Sequence, residues 1–489
     1  MRYSLSALGA LALAVVLGAA HAASPRLGAA DARHLLVRTS FAATPLDVER
    51  YSALTREQAV DRLLSSSRQQ ASVPTPEWAE AAFQSPRRLR TATAEERQAL
   101  QRERREQGQD LRAWWLAEMR RTSSPLTEKM TLFWHNHFVS SDQKVRSPQL
   151  MYRQNVLLRR HALGNFGTLL HEIARDPAMV IYLDNASNRK ERPNENFARE
   201  VMELFTLGEG HYTENDIKEA ARAFTGWGVD IDRGEFVFRP ALHDDDAKVV
   251  LGREGNLNGE HVLDILLEHP RTAEYIVEKL WREFVSTTPD AAEVKRVARI
   301  FKDSGYDIRA ALRALLTSDA FYAPQNRAAL VKSPVELVVG TLRQFDFSGA
   351  DMLPFALTTA QLGQNLFAPP NVKGWPGGEA WINSTTLLRR KQFLERLFRE
   401  TAMPSAPAPE VTSMSERLPQ PGTRAERVMR AMAAVRFDAQ QWLGQVGGRD
   451  AGAVHHAVLA AAPSNTLPDG VQGLQALQLL TQDAVYQLK

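Results

Sequence analysis

The stretch "TLFWHNHFVS", residues 131–140, sets His135 and His137 one residue apart among aromatic side chains, in a chain with no cysteine. Imidazoles bind divalent ions, exchange protons near neutral pH, or sit hydrogen-bonded in a core. The segment reads as a helix opening at Ser123 or Ser124, with Pro125 in its first turn and Glu128 shortly after. On it His135 falls roughly 20° from Glu128, while His137 lies about 160° away, on the apolar side between Met130 and Phe133. One ion is held by both only if the helix ends or unwinds near Asn136. Two alternatives stand: a metal pair, or a core His137 bonded to a carbonyl with His135 bonded to Glu128. The core arrangement is favoured, because histidine is often half-buried without being a ligand.

A second constellation is "RPNENFAREVMELFTLGEGHYTE", residues 192–214. Asn194 after Pro193 is a natural N-cap, and Gly208 and Gly210 are stop signals. Asn196, Arg199, Glu200 and Glu203 fall in a sector about 100° wide, opposite Phe197, Val201, Leu204 and Phe205. The stripe is either a solvated face with Arg199–Glu203 and Asn196–Glu200 as turn-to-turn pairs, or a site in which arginine steadies two carboxylates. By pattern alone the solvated face leads. A third is "NVKGWPGGEAWIN", residues 371–383, where glycines and proline force an irregular turn carrying Trp375, Trp381 and Asn383. Aromatic faces beside amides suit a sugar or planar ligand. A turn that caps the core is the favoured alternative.

These residues need elements to position them, and helical periodicity dominates: "TREQAVDRLLSS" (55–66), "EHVLDILLEHPRTAEYIVEKLWREFV" (260–285) and "DIRAALRALLTSDAFY" (307–322) repeat apolar residues at three- and four-residue steps. The fold expected is mainly α, a large multi-helix domain with at most a small β-hairpin near 235–252, pairing "EFVFRP" with "KVVLG". The basic stretch 87–121 has interspersed acids and ends in "WWLAEM", which predicts a solvated helix docking by its C-terminal end. Residues 404–422, rich in proline and serine, read as a linker or surface segment. Residues 23–403 then form the main domain, and 423–489 return to helices that pack back on it.

Arg2, the apolar "LSALGALALAVVLGAA" and Ala20-His21-Ala22 give residues 1–22 the form of a cleaved signal peptide. A periplasmic or secreted product without a transmembrane anchor is expected, because no later apolar run approaches the roughly 18 residues a span needs. The leader holds one basic residue, Arg2, and no acid, so 60 basic residues fall to 59 against 57 acidic. That balance does not point to nucleic acid, although charge can be concentrated locally. Without cysteine there are no disulfides, thiol nucleophiles or cysteine-bound zinc. No nucleophile elbow, P-loop, dinucleotide fingerprint or zinc-protease "HExxH" occurs; "HEIAR" at 171–175 has Arg175 where the second histidine belongs.

"FWHNHF", "NENFAREVMELFTLGEGHYTENDIKEAARAFTGW", the His243-Asp244 pair before "KVVLG", "LVKSPVELVVG" and "NVKGWPGGEAWINSTTLLRR" together resemble the exported bacterial family known as domain of unknown function 1800. The likeness runs from "HLLVRTSFAATP" to "LLTQDAVYQLK". It implies a secreted protein without an established reaction, commonly encoded beside an exported family that resembles alkaline phosphatases and sulfatases and that is either its partner or a member of a shared pathway. Many members carry histidine where this chain has Phe205, which weakens any scheme needing a ligand there. The polar motif blocks point to a shared cleft. Glu200, Glu203, Arg199 and His135 are its catalytic candidates, and Asn196, Arg222, Trp227, Trp375, Trp381 and Asn383 its substrate-binding candidates. His137, His243 and Asp244 are candidate ligands for one divalent metal ion. The leading expectation is a hydrolase-type enzyme acting on an extracellular or envelope polymer, working either by imidazole and carboxylate acid–base chemistry or with the help of a metal ion. The alternative is a non-catalytic binding or assembly partner of the sulfatase-like protein.

Overall fold

The computed structural model describes residues 25–349, 351–402, 423–448 and 450–489. The expected leader and the 404–422 segment lie outside the described residues. The fold is mainly α, with two small two-stranded antiparallel sheets. Among the described residues no helix is long and apolar enough to cross a membrane.

Local caps explain where many helices begin. Thr93 and Glu96 form a capping box at the start of the Ala94–Arg121 helix, and Ser333 and Glu336 do the same for Pro334–Gln344. The first of these helices is exposed along its N-terminal half and docks through Leu111, Trp115 and Met119, as its charge pattern predicts. Asn194 caps Glu195–Glu200, accepting from the Asn196 amide at 3.0 Å. The helix Pro125–His137 starts where expected, but the Ser124 hydroxyl makes no cap bond. Its oxygen accepts from the Arg68 amide at 3.1 Å and pairs with the Thr127 hydroxyl, a tertiary use that local pattern does not show.

The single expected hairpin is replaced by two. Strand β1 (Trp227–Asp230) pairs with β2 (Glu235–Phe238), and β3 (Lys248–Val250) with β4 (Arg253–Gly255). Turn chemistry decides the pairing. The Asp230 carboxylate accepts from the Asp232 and Arg233 amides and Gly234 takes φ +64°, which folds β2 back on β1. Leu251 and Gly252 both have positive φ, the geometry of a tight two-residue turn between β3 and β4.

One large core unites the helices, and the Pro125–His137 helix runs through it with charges buried. The Glu128 carboxylate accepts from Arg159 at 2.6 and 2.9 Å and from the Trp115 indole at 2.8 Å. Next to it, Lys129 and Lys489 both bond the buried Glu336, with Glu283 3.4 Å from each ammonium. Burial alone pushes the Glu336 carboxyl up, but the two ammonium groups outweigh it and hold the group well below its ordinary range. The last helices close over this region: Val331 bridges Leu488, the Lys489 amide donates to Leu330 O at 2.7 Å, and Trp442 donates to Gln344 O at 2.8 Å.

Candidate active site at the end of the histidine helix

Asn136 and His137 are the last two residues of the Pro125–His137 helix, and Phe138 is its C-cap. The Asn136 carboxamide clamps the tryptophan turn: its oxygen accepts from the Trp375 amide at 2.7 Å, and its nitrogen donates to Trp375 O at 3.2 Å. Gly374 beside it takes φ +78°, and a Cβ there would lie 2.3 Å from the Asn136 oxygen. Only glycine satisfies both constraints.

His137 points the other way. Its Nε2 lies 3.1 Å from Phe205 O, and since a carbonyl only accepts, Nε2 carries the proton. Nδ1 is therefore a lone-pair acceptor, and it is buried without a partner. Burial and the nearby Lys279 ammonium keep the ring's pKa well below the ordinary histidine value. The imidazole is neutral at neutral pH, with Nδ1 shut off from solvent.

What lies beside it is a cleft of about 490 Å³, walled by Trp375 and Trp381 and flanked by Lys279, Arg282 and Lys373. Its back is the Glu283, Glu336 and Lys489 cluster. Burial and Arg282 push the Lys279 ammonium down to about 8.

Beyond Lys373, outside the cleft's own lining, stands the carboxylate stripe. Glu195–Glu200 continues without a break as a π-helical turn, Val201–Thr206. Such turns expose carbonyls that an α-helix would use internally. Here several carbonyls of the turn and of Leu207 after it are taken by side chains. Leu204 O accepts from Tyr275 at 3.2 Å and Lys279 at 3.4 Å, Phe205 O from His137, and Leu207 O from Arg271 at 3.2 Å. Two of these donors are cations at the negative end of a helix, where the dipole favours them. On the polar face, the Tyr212 hydroxyl donates to Glu203 at 2.7 Å, and Lys373 lies 3.8 Å from Glu203 and 2.9 Å from Glu209. Glu200 is buried and has no hydrogen-bond partner among the described residues. Burial first, then the Glu203 charge, raise its pKa, against the pull of Lys373 and Arg199. Lys373 thus joins the carboxylate pair to the tryptophan turn.

The sequence profile of a protein of unknown function, DUF1800, matches residues 34–488. The chain belongs to the DUF1800 family. No curated protein and no solved structure matches it.

The family's polar blocks divide between two places rather than sharing one cleft. His137, Trp375 and Trp381 line one cleft; Glu200 and Glu203 do not line it, and Glu203 is tied to it only through Lys373, 3.8 Å away. His135 stands behind the tryptophan turn: its Nε2 accepts from the Phe367 amide at 3.2 Å, its ring lies 5.8 Å from Trp375, and burial with Arg112 drives its pKa to about 3. It positions the turn and does not use Glu128, because Arg159 and Trp115 already saturate that carboxylate. Phe367 holds φ +62°, so the His135 contact steadies a strained backbone.

Arg199 turns away from Glu203 to Glu195 (3.3 Å) and Glu214 (2.7 Å), a surface network in which both partners are more exposed than Glu203. Asn196 donates to Leu183 O at 3.1 Å instead of meeting Glu200. Asn383 caps the Ser384–Ala402 helix, accepting from the Thr386 amide at 2.9 Å.

The other family block is a separate clamp. Arg222 bonds Asp244 at 2.7 Å and Glu219 at 2.9 Å, His243 Nδ1 bonds Thr225 O at 2.9 Å, and the buried Lys248 donates to the Asp244 and Asp246 carbonyls. None of these lines the cleft. Trp227 is a core residue packed on Phe224 and Phe236. His137, His243 and Asp244 thus each have different neighbours, and among the described residues no three His, Asp or Glu side chains are grouped to hold a metal ion.

The sequence reading passed over Asn136, Lys279 and Glu336. Asn136 sits inside the motif between the histidines that drew attention, and the capping pattern "SPVE" signals Glu336 only as a helix start. Lys279 interrupts no pattern, since its helix shows a polar residue at that position whether or not it faces a cleft.

Proposed function

We propose that the chain is an exported hydrolase-type enzyme acting on an extracellular or envelope polymer, with Glu200 as general acid and Glu203 as the paired carboxylate. The observation that carries this reading is Glu200, a largely buried residue whose carboxyl group reaches solvent without a hydrogen-bond donor among the described residues and is close enough to Glu203 for that charge to raise its pKa. Desolvation and a neighbouring charge favour the protonated carboxyl, and carboxyls perturbed in this way are functional candidates. In the step proposed, Glu203 takes a proton from water as the water oxygen bonds to the electrophilic centre. Glu200 gives its proton to the departing oxygen as that bond breaks. The cleft's lining by Trp375 and Trp381 together with Lys279, Arg282 and Lys373 suits a ring-bearing chain with hydroxyl and acidic substituents.

Export rests on the leader-like residues 1–22, and N-terminal sequencing of secreted protein should begin near Ala23. The phosphatase- or sulfatase-like partner implied by the family would act on the same polymer, removing ester groups before or after cleavage. The experiment is release of new chain ends from a panel of envelope and extracellular polymers. Wild type should release them, and Glu200→Gln and Glu203→Gln, folded alike, should each be slower by at least about 100-fold. No release by wild type from any polymer, or equal release by Glu200→Gln, overturns this reading.

A further inference from the structure

On the far side of the 362–368 loop from the cleft, two adjoining hollows run along the exposed half of the Ala94–Arg121 helix. Gln364 lines the cleft while its neighbour Asn365 lines the first hollow. The hollows measure about 380 and 290 Å³ and share Arg104, Arg146, Ser147 and Pro148, so they form one groove.

The groove's charge is one-sided. Arg88, Arg104, Arg105, Arg146 and Arg424 line it, and none makes an ion pair among the described residues. Its lone lining acid, Asp142, is occupied by Arg112. Lys144 is likewise neutralised by Asp184 at 2.7 Å. Burial first, and then the charges of Arg146 and Arg105, depress the Arg104 pKa against the opposing pull of Asp142, so like charges stand close together here. Arg146 holds this place with φ +53°, a left-handed backbone that costs a non-glycine residue energy. Near-neutral net charge makes such a concentration stand out from the rest of the surface.

We infer that this groove binds an acidic polysaccharide, its arginines pairing with sulfate, phosphate or carboxylate groups spaced along the chain. Planar guanidinium groups bind such oxyanions in two-pronged fashion. The amides of Gln101, Gln109 and Gln143 between them match sugar hydroxyls. Nucleic acid fits less well: single strands are gripped largely by stacking bases on aromatic rings, and no aromatic residue lines either hollow. The inference stands independently of the chemistry assigned to Glu200.

The test is equilibrium binding of fluorescent dextran sulfate at two salt concentrations, with uncharged dextran and single-stranded DNA as parallel probes. Wild type should bind dextran sulfate, more weakly at higher salt, and ignore dextran. Arg104→Ser/Arg146→Asn should weaken binding by about tenfold or more; asparagine tolerates the left-handed backbone at 146. Lys295→Ser/Arg299→Ser removes the same charge from an exposed helix outside the groove and should change binding less than about twofold. Equal loss in that control, no binding by wild type, or tighter binding of DNA than of dextran sulfate each overturns the inference.

Discussion

Asn136 and Trp375, 239 positions apart, are joined by two hydrogen bonds, the Asn136 side-chain amide serving Trp375 as a neighbouring strand's backbone would. That contact fixes the tryptophan turn against the histidine helix and sets one wall of the cleft. It gives the two family motifs a shared structural reason.

Asn136→Ala removes both partners of the Trp375 backbone in a half-buried place and should cost about 1–3 kcal/mol. Gly374→Ala should cost at least as much, since the added methyl meets the Asn136 oxygen and the backbone is left-handed. Urea unfolding of the two variants and the double variant checks this. Because both act on one contact, the double variant should lose less than the sum.

His135 gives a pH dependence of known sign. Its folded pKa, about 3, lies below the ordinary 6.5, so below 6.5 the unfolded chain takes up a proton that the folded chain refuses. Stability from this group is full above 6.5 and falls as pH drops towards 3, by up to about 1.4 kcal/mol per pH unit. Asp176, raised to about 7 mainly by burial, works in the opposite direction over part of the range. A comparison of wild type with His135→Asn isolates the histidine. Unfolding free energies at pH 7.5 and 5 should show a smaller loss in the variant.

Much of the architecture was legible because its causes are local. The cap at Asn194 needs only neighbours a turn away, and the solvated half of the helix expected within 87–121 and found at Ala94–Arg121 shows in its charges. Strand pairing was not, because it turned on which of several short runs had a tight turn beside it, and Leu251 is an unusual residue for a positive φ. The site was legible in part. Glu200, His137 and Trp375 are distinctive in type, but their partners come from distant segments: Phe205 O for His137, Asn136 for Trp375, Lys373 for Glu203. Arg199 went to Glu195 and Glu214 because the π-helical turn after Glu200 changes the spacing on which an i, i+4 pair with Glu203 depends. Lys129 was unreadable for the same reason as Ser124, since burial of a charge is decided by counter-ions at Glu336 and Glu283 far along the chain.

Lys373 links the carboxylate pair to the turn and lowers the Glu200 pKa. Lys373→Gln should therefore raise that pKa further, and the alkaline limb of a pH–rate profile, where Glu200 loses its proton, should move to higher pH. Lys373→Arg should restore the wild-type profile. An unmoved limb in Lys373→Gln would separate Lys373 from the reaction.

The most direct measurement sets melting temperature against turnover for wild type and Glu200→Gln at pH 8 and pH 5. A carboxyl whose folded pKa is raised destabilises the fold once pH rises through that value, and glutamine carries no such charge. The account predicts that Glu200→Gln melts at the same or a higher temperature than wild type at pH 8. The gap should shrink at pH 5, and release of chain ends should fall by at least about 100-fold at both. A solvated surface glutamate would change stability by less than about half a kcal/mol at either pH and leave turnover intact. That result, or a variant less stable than wild type at pH 8, would contradict a catalytic role for Glu200.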